Sequence, residues 1–229
     1  MRRAAVATLL ATAALHLPDP SPQAAKADIV FVQASGFDRA CAALRGRPIA
    51  AAWRDELQAR SGELEAAWEA DAEPVLKRAL QLSGARLNRD QTVRLTLCDL
   101  PSSSWLGPQV NMRYALASFA DRPVSLRYKA VTATHEVLHP VLAEVDLSNS
   151  PSLAAHRREP RRVRDHLHLF ALLKASMLDL GREDLLAEVV AADSALPNPA
   201  YSRAWSIVNS RPDDYARYVR ELRTRAAPP

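Results

Sequence analysis

The chain is expected to fold as an α+β domain, with a small sheet and helices in the N-terminal half and an all-helical C-terminal half. Short β-branched or alternating runs occur only before Asp121: DIVFVQA at Asp28–Ala34, TVRLTL at Thr92–Leu97 and an aromatic-containing stretch at Val110–Phe119. From Leu126 onward the apolar spacing is helical throughout. The length of 229 residues, at 48% hydrophobic and 24% charged, suits one globular domain, and an aromatic share of 6% leaves the core to Leu, Val and Ala.

The elements follow in order. Arg2 and Arg3 precede an uninterrupted apolar run, Ala4 to Leu15, then a Pro/Ser-rich stretch and Ala25-Lys26-Ala27. A positive start, a short apolar run and an A-x-A site make a secretory signal over residues 1–27, leaving 28–229 as the mature domain, secreted or periplasmic. The run is shorter than the roughly 20 residues a membrane span needs, and no later stretch is longer, so no transmembrane segment is expected. Cys41 and Cys98 are left to form either a disulfide, which export permits, or two buried thiols.

A strand at Asp28–Ala34 is followed by a helix opening at Pro48, with Ile49, Trp53, Leu57, Leu64 and Trp68 near helical spacing. Pro74 predicts a break before a second helix that ends at Gly84. Strands are expected at Thr92–Leu97 and Val110–Phe119, then a turn at Asp121-Arg122-Pro123. Helices are expected near 126–143, 161–180, 182–194, 199–209 and 212–225, the last capped by Ser210 with Pro212 in its first turn.

Chemistry concentrates in His135-Glu136-Val137-Leu138-His139. Residues i and i+4 lie one above the other on a helix, so both imidazoles can reach one Zn²⁺ at about 2.0–2.1 Å. The intervening carboxylate stands beside the metal, where it can take a proton from a zinc-activated water. Random placement gives such a pentad in about one comparable chain in a hundred. Tyr128, Val131, His135, Leu138 and Leu142 form one stripe, which places the pentad on a partly buried helix.

In these residues the chain resembles the zincin metallopeptidases, over about Thr92 to Met177, with the pentad as the specific part. The resemblance implies a zincin-like fold, His135 and His139 as zinc ligands, Glu136 as general base and the Val110–Phe119 strand as an edge on which a peptide substrate lies extended. The metzincin extension is excluded, because Leu142 and Val145 stand where its glycine and third histidine belong. Glu159 has the spacing of the thermolysin-like third ligand, but Pro160 follows it and the surrounding pattern is missing. Pro140 directly after His139 removes a helical N–H.

Val163, His166, Phe170, Leu173 and Met177 share one face of the next long helix, so His166 points inward and ranks first as third ligand. Glu159 ranks second and Asp165 third, His168 points off the stripe, and His156 falls in a loop. Arg157, Arg158, Arg161, Arg162 and Arg164 form either a solvated face partly neutralised by Glu159 and Asp165, or a contact for an anionic partner or envelope surface. With 30 basic against 26 acidic residues and no interleaved aromatics, nucleic-acid binding is not indicated. The four tryptophans are assigned to the core, and neither Tyr201 nor Tyr215 is selected as an oxyanion donor. These readings give an exported zinc peptidase acting on peptide or protein substrates; the rival is a non-catalytic zincin-like binding module with structural zinc or none.

Overall fold

The computed structural model describes residues 28–211 and 213–226, so the expected signal segment, 1–27, lies outside the described residues. The fold is mixed α+β and mostly helical. β1 (Ile29–Gln33), β2 (Gln91–Thr96) and β3 (Gln109–Asn111) form a sheet in the order β1-β2-β3. Both pairings are parallel, with Phe31 opposite Val93 and Leu95 opposite Val110. A parallel pair needs a long crossover, and the one joining β1 to β2 carries α1 (Ser35–Arg45), α2 (Ala51–Ala59), α3 (Ser61–Ala67) and α4 (Glu73–Ser83). After the sheet come α5 (Leu126–Ala143), α6 (Pro151–Ala155), α7 (Arg161–Asp179), α8 (Glu183–Ser194), α9 (Pro199–Val208) and α10 (Tyr215–Arg225). Among the described residues no helix is long and apolar enough to cross a membrane.

The sheet's core face is set by strand periodicity: Val93, Leu95 and Val110 are buried, and Phe31 packs edge-on against Trp68. α1 was not expected, because it buries only Asp38 and Cys41 and therefore has no apolar stripe to read. Those two side chains fix it to the end of β2. Asp38 accepts from Thr96 Oγ1 at 2.5 Å and from the Leu97 amide at 3.0 Å, and Cys41 is bonded to Cys98 with Cα atoms 6.0 Å apart. Closing so long a loop stabilises the fold by about 2–4 kcal/mol.

The break expected at Pro74 is replaced by a π-turn at Trp68–Ala72, and Pro74 falls in the first turn of α4, where its missing N–H is harmless. A π-turn disturbs the regular carbonyl ladder. Side chains supply donors there: Thr134 Oγ1 reaches the Ala72 carbonyl at 3.2 Å, and Arg182 the Ala70 carbonyl at 3.2 Å. Asp71 in the turn receives Arg127 at 2.9 Å and is also paired with Arg182, so the turn is keyed to α5 and to the start of α8.

The strand expected over Val110–Phe119 stops at Asn111 and gives way to a 3₁₀ turn at Arg113–Ala115. Asn111 causes the change. Its side chain donates to the carbonyls of Leu100 (2.6 Å) and Cys98 (3.2 Å) and accepts from the Arg113 amide (3.0 Å), competing with continuation of the ladder. The expected edge for an extended substrate is therefore not formed by this segment.

The expected helices of the second half are present with boundaries within a residue or so, save at the end, and a short helix not expected from the sequence, α6, is added, capped by the Ser150 hydroxyl on the Leu153 amide. α10 begins at Tyr215 with Asp214 as its cap position, while Ser210 donates to Ile207 and Asp214 instead of capping, and Pro212, expected in the first turn, lies outside the described residues. Trp68 and Trp205 are buried and Trp53 is half-buried, as core residues should be, but Trp105 is 88% exposed on the loop between β2 and β3. α7 is the central rod, packed against α4, α5, α8, α9 and α10, with almost every side chain from Val163 to Met177 buried.

Glu221 of α10 ties that rod to α6. It accepts from the hydroxyls of Ser150 and Ser152 (the latter at 2.6 Å) and pairs with His168 Nε2 at 3.0 Å. Burial raises this carboxyl, but the hydrogen bonds together outweigh it and hold it at about 2, against 4.5 for a free Glu. A depressed carboxyl stabilises the fold above its unfolded value and loses that contribution as pH falls through the folded one. In urea titrations wild type should exceed Glu221→Gln at neutral pH, and the margin should narrow as pH falls from about 4.5 towards 2.

Candidate metal centre

α5 starts at the cap Ser125, whose hydroxyl accepts the Tyr128 amide at 3.0 Å, and runs through the pentad with Pro140 in its last turn. Both sides of the helix are covered, so His135 and Glu136 are only 7% and 3% exposed, while His139 is half-buried. The Nε2 atoms of His135 and His139 face each other at 3.0 Å. α7 packs on α5 and brings His166 to both, with ring centroids 5.2 Å from His135 and 5.0 Å from His139.

One ligand atom from each of the three imidazoles lies within 4.8 Å of the others. Donors around a tetrahedral zinc at 2.0–2.1 Å stand about 3.3 Å apart, so small side-chain adjustments suffice to close this set on one ion. The His166 Nδ1–H donates to the Arg162 carbonyl at 2.6 Å, which fixes the tautomer and leaves Nε2 as the lone-pair atom. That Nε2 is buried and has no hydrogen-bond partner. An orphaned buried acceptor costs about 1–3 kcal/mol, a penalty that a metal bond removes. Burial lowers the basicity of all three rings, taking His139 to about 4, with His166 as the next cause. They are held neutral, the form a cation requires.

Glu136 lies in the same buried region. Burial first, and the Asp193 carboxylate second, push its carboxyl up to about 8. Asp193 is itself held by the Tyr128 hydroxyl (2.8 Å) and the Trp205 indole N–H (2.9 Å). Phe170, stacked on Trp205 with centroids 4.3 Å apart, forms an apolar wall beside His135 and His166. The half-buried Tyr201 of α9 has its ring 4.8 Å from His166 and 6.2 Å from His135. Burial, then the charge of Glu136, raises its hydroxyl to about 12, so it remains a donor.

The other expected candidates are engaged elsewhere. Glu159 is paired with Arg203, Asp165 is exposed and paired with Arg161 at 3.4 Å, and His168 belongs to the Glu221 cluster. His156 is at the end of α6, outside the group. Tyr215 lies under Lys174, whose ammonium is 4.8 Å from its ring centroid, which separates it from Tyr201. Asp193 escaped the sequence reading although Leu185, Val189 and Asp193 recur at i, i+4 and i+8, the same polar interruption of an apolar stripe that marked His166. Tyr201 carried no such signal, because only the packing of α9 on α7 brings it to the histidines.

Comparison with family models, with characterised proteins and with solved structures finds no match to this chain.

The third position can be tested directly. His166→Ala should reduce zinc affinity at least tenfold in a competition titration against a chelator, while Glu159→Ala and Asp165→Ala should keep wild-type affinity. Loss of metal in Glu159→Ala with retention in His166→Ala would reverse the assignment.

Proposed function

We propose that the chain is a zinc-dependent peptidase of zincin-like fold, exported to the cell exterior or periplasm by its N-terminal segment. The observation that carries this is the convergence of His135, His139 and His166 beside a buried Glu136. The Cys41–Cys98 bond supports an oxidising compartment. Zinc, when bound, supplies a Lewis acid that polarises a peptide carbonyl and makes water nucleophilic at neutral pH.

The residues divide the remaining work. Three neutral imidazoles, His135, His139 and His166, would hold the ion. Glu136, pushed up to about 8 by burial, would ionise beside a bound cation, and its carboxylate then takes a proton from the attacking water and delivers it to the departing amine. Tyr201, whose ring lies beside His166, is the proposed hydrogen-bond donor to the substrate carbonyl oxygen as negative charge develops. Phe170 and Trp205 exclude solvent from the inner side, which strengthens these polar contacts.

A non-catalytic zinc-binding module is the second reading. It is favoured by the wholly parallel sheet and by the near-complete burial of Glu136. Turnover of a broad peptide library by the zinc-loaded protein, beside Glu136→Gln, separates the two. The peptidase reading expects cleavage by wild type, a fall of about 10²–10⁴-fold in Glu136→Gln, and equal zinc in both. Tyr201→Phe should lower kcat by about tenfold or more with little change in KM. Full zinc occupancy with no cleavage by wild type would establish the module instead.

A further inference from the structure

The arginine run at the start of α7 is not used by the metal chemistry. A helix N-terminus is already positive, so Arg157, Arg158, Arg161, Arg162 and Arg164 crowd cations where the backbone disfavours them. The two carboxylates in the run relieve this only in part, since Asp165 pairs with Arg161 alone and Glu159 is engaged by Arg203. Arg157, Arg158 and Arg162 are exposed and have no carboxylate partner among the described residues.

Arg162 is the member placed at the metal centre. It precedes His166 by four residues, so both lie on one face of α7. Helical side chains lean toward the N-terminus, and the His166 ring accordingly lies over the Arg162 turn, its Nδ1–H on the Arg162 carbonyl at 2.6 Å. His139 and Tyr201 are the half-buried members of the site and mark where solvent reaches it, whereas His135, Glu136 and Phe170 are buried.

We infer that Arg162 is a specificity residue that selects acidic peptides, seating a side-chain carboxylate within about two or three extended residues of the metal. This rests on the peptidase reading for the nature of the ligand. A guanidinium grips a carboxylate through two parallel N–H bonds and stays charged at any working pH. Arg157 and Arg158 add a local field that concentrates acidic chains at the opening, an effect that salt screens.

The test is equilibrium binding to zinc-loaded Glu136→Gln protein, measured by fluorescence anisotropy with labelled peptides that differ only in Glu, Gln or Lys at one position. Each is used with a free and an amidated C-terminus. The Glu peptide should bind about tenfold more tightly than the Gln peptide. The preference should survive amidation and weaken as salt rises. It should vanish in Arg162→Gln and reverse toward Lys in Arg162→Glu, with unchanged zinc content. Arg45→Gln, which removes the same charge in the sheet half, should leave it intact. Equal binding of the Glu and Gln peptides, a preference abolished by amidation, or one retained in Arg162→Gln would overturn the inference. Turnover by wild type is measured with the same peptides. Cleavage without acidic preference overturns the specificity and leaves the peptidase reading, whereas Arg162-dependent binding without cleavage does the reverse.

Discussion

The packing of α7 on α5 is the contact on which the rest of the molecule depends. It brings three neutral imidazoles together, two of them buried, and leaves the His166 Nε2 with no acceptor or donor from the protein. Burying such a group is unfavourable in a bare core, and the surrounding structure is arranged to hold it there regardless. The Arg162 carbonyl fixes the ring, Phe170 and Trp205 wall it in, and Glu221 anchors the opposite side of α7 through His168. A helix apolar on nearly every side is stable only when it is enclosed, and α4, α8, α9 and α10 provide that enclosure.

The same packing gives the pentad helix its own supports. Asp71, in the π-turn before α4, draws in Arg127 of α5 and Arg182 before α8, while Thr134 closes the turn's Ala72 carbonyl. Asp193 collects Tyr128 of α5 and Trp205 of α9. Each carboxylate is buried and is offset by several donors, as buried charge requires. Helices from both halves of the chain are thus locked in register around the histidines, which is the preorganisation a metal centre needs.

How far the sequence predicted this differed from element to element, for physical reasons. Helices with a full apolar stripe were legible to within a residue or two, α5 and α7 above all, and His166 followed from its place in such a stripe. α1 was invisible because a buried aspartate and a cysteine, not an apolar face, hold it. The end of β3 depended on one asparagine side chain reaching carbonyls eleven and thirteen residues away, which no local pattern encodes. The π-turn was hidden behind a proline that marks a helix start as readily as a break. Strand direction cannot be read from alternation at all, so the parallel sheet is information the fold alone supplied.

That sheet changes how a substrate would have to approach. A zincin-like site is expected to present an extended edge beside its metal, and here the candidate edge ends in a 3₁₀ turn after three residues. The histidines instead lie among α5, α7 and α9, with Tyr201 and His139 as their partly open side. On the peptidase proposal, a peptide entering there would meet helix surfaces in place of a strand, and backbone pairing would contribute little to binding. Recognition would then fall to side chains around the opening, among them the exposed Arg162, four residues before His166, whose ring its backbone carbonyl holds. The unfavourable placement of cations at the start of α7 is in this view a consequence of where the opening lies: the N-terminal turn of the helix that supplies the third imidazole is also its rim.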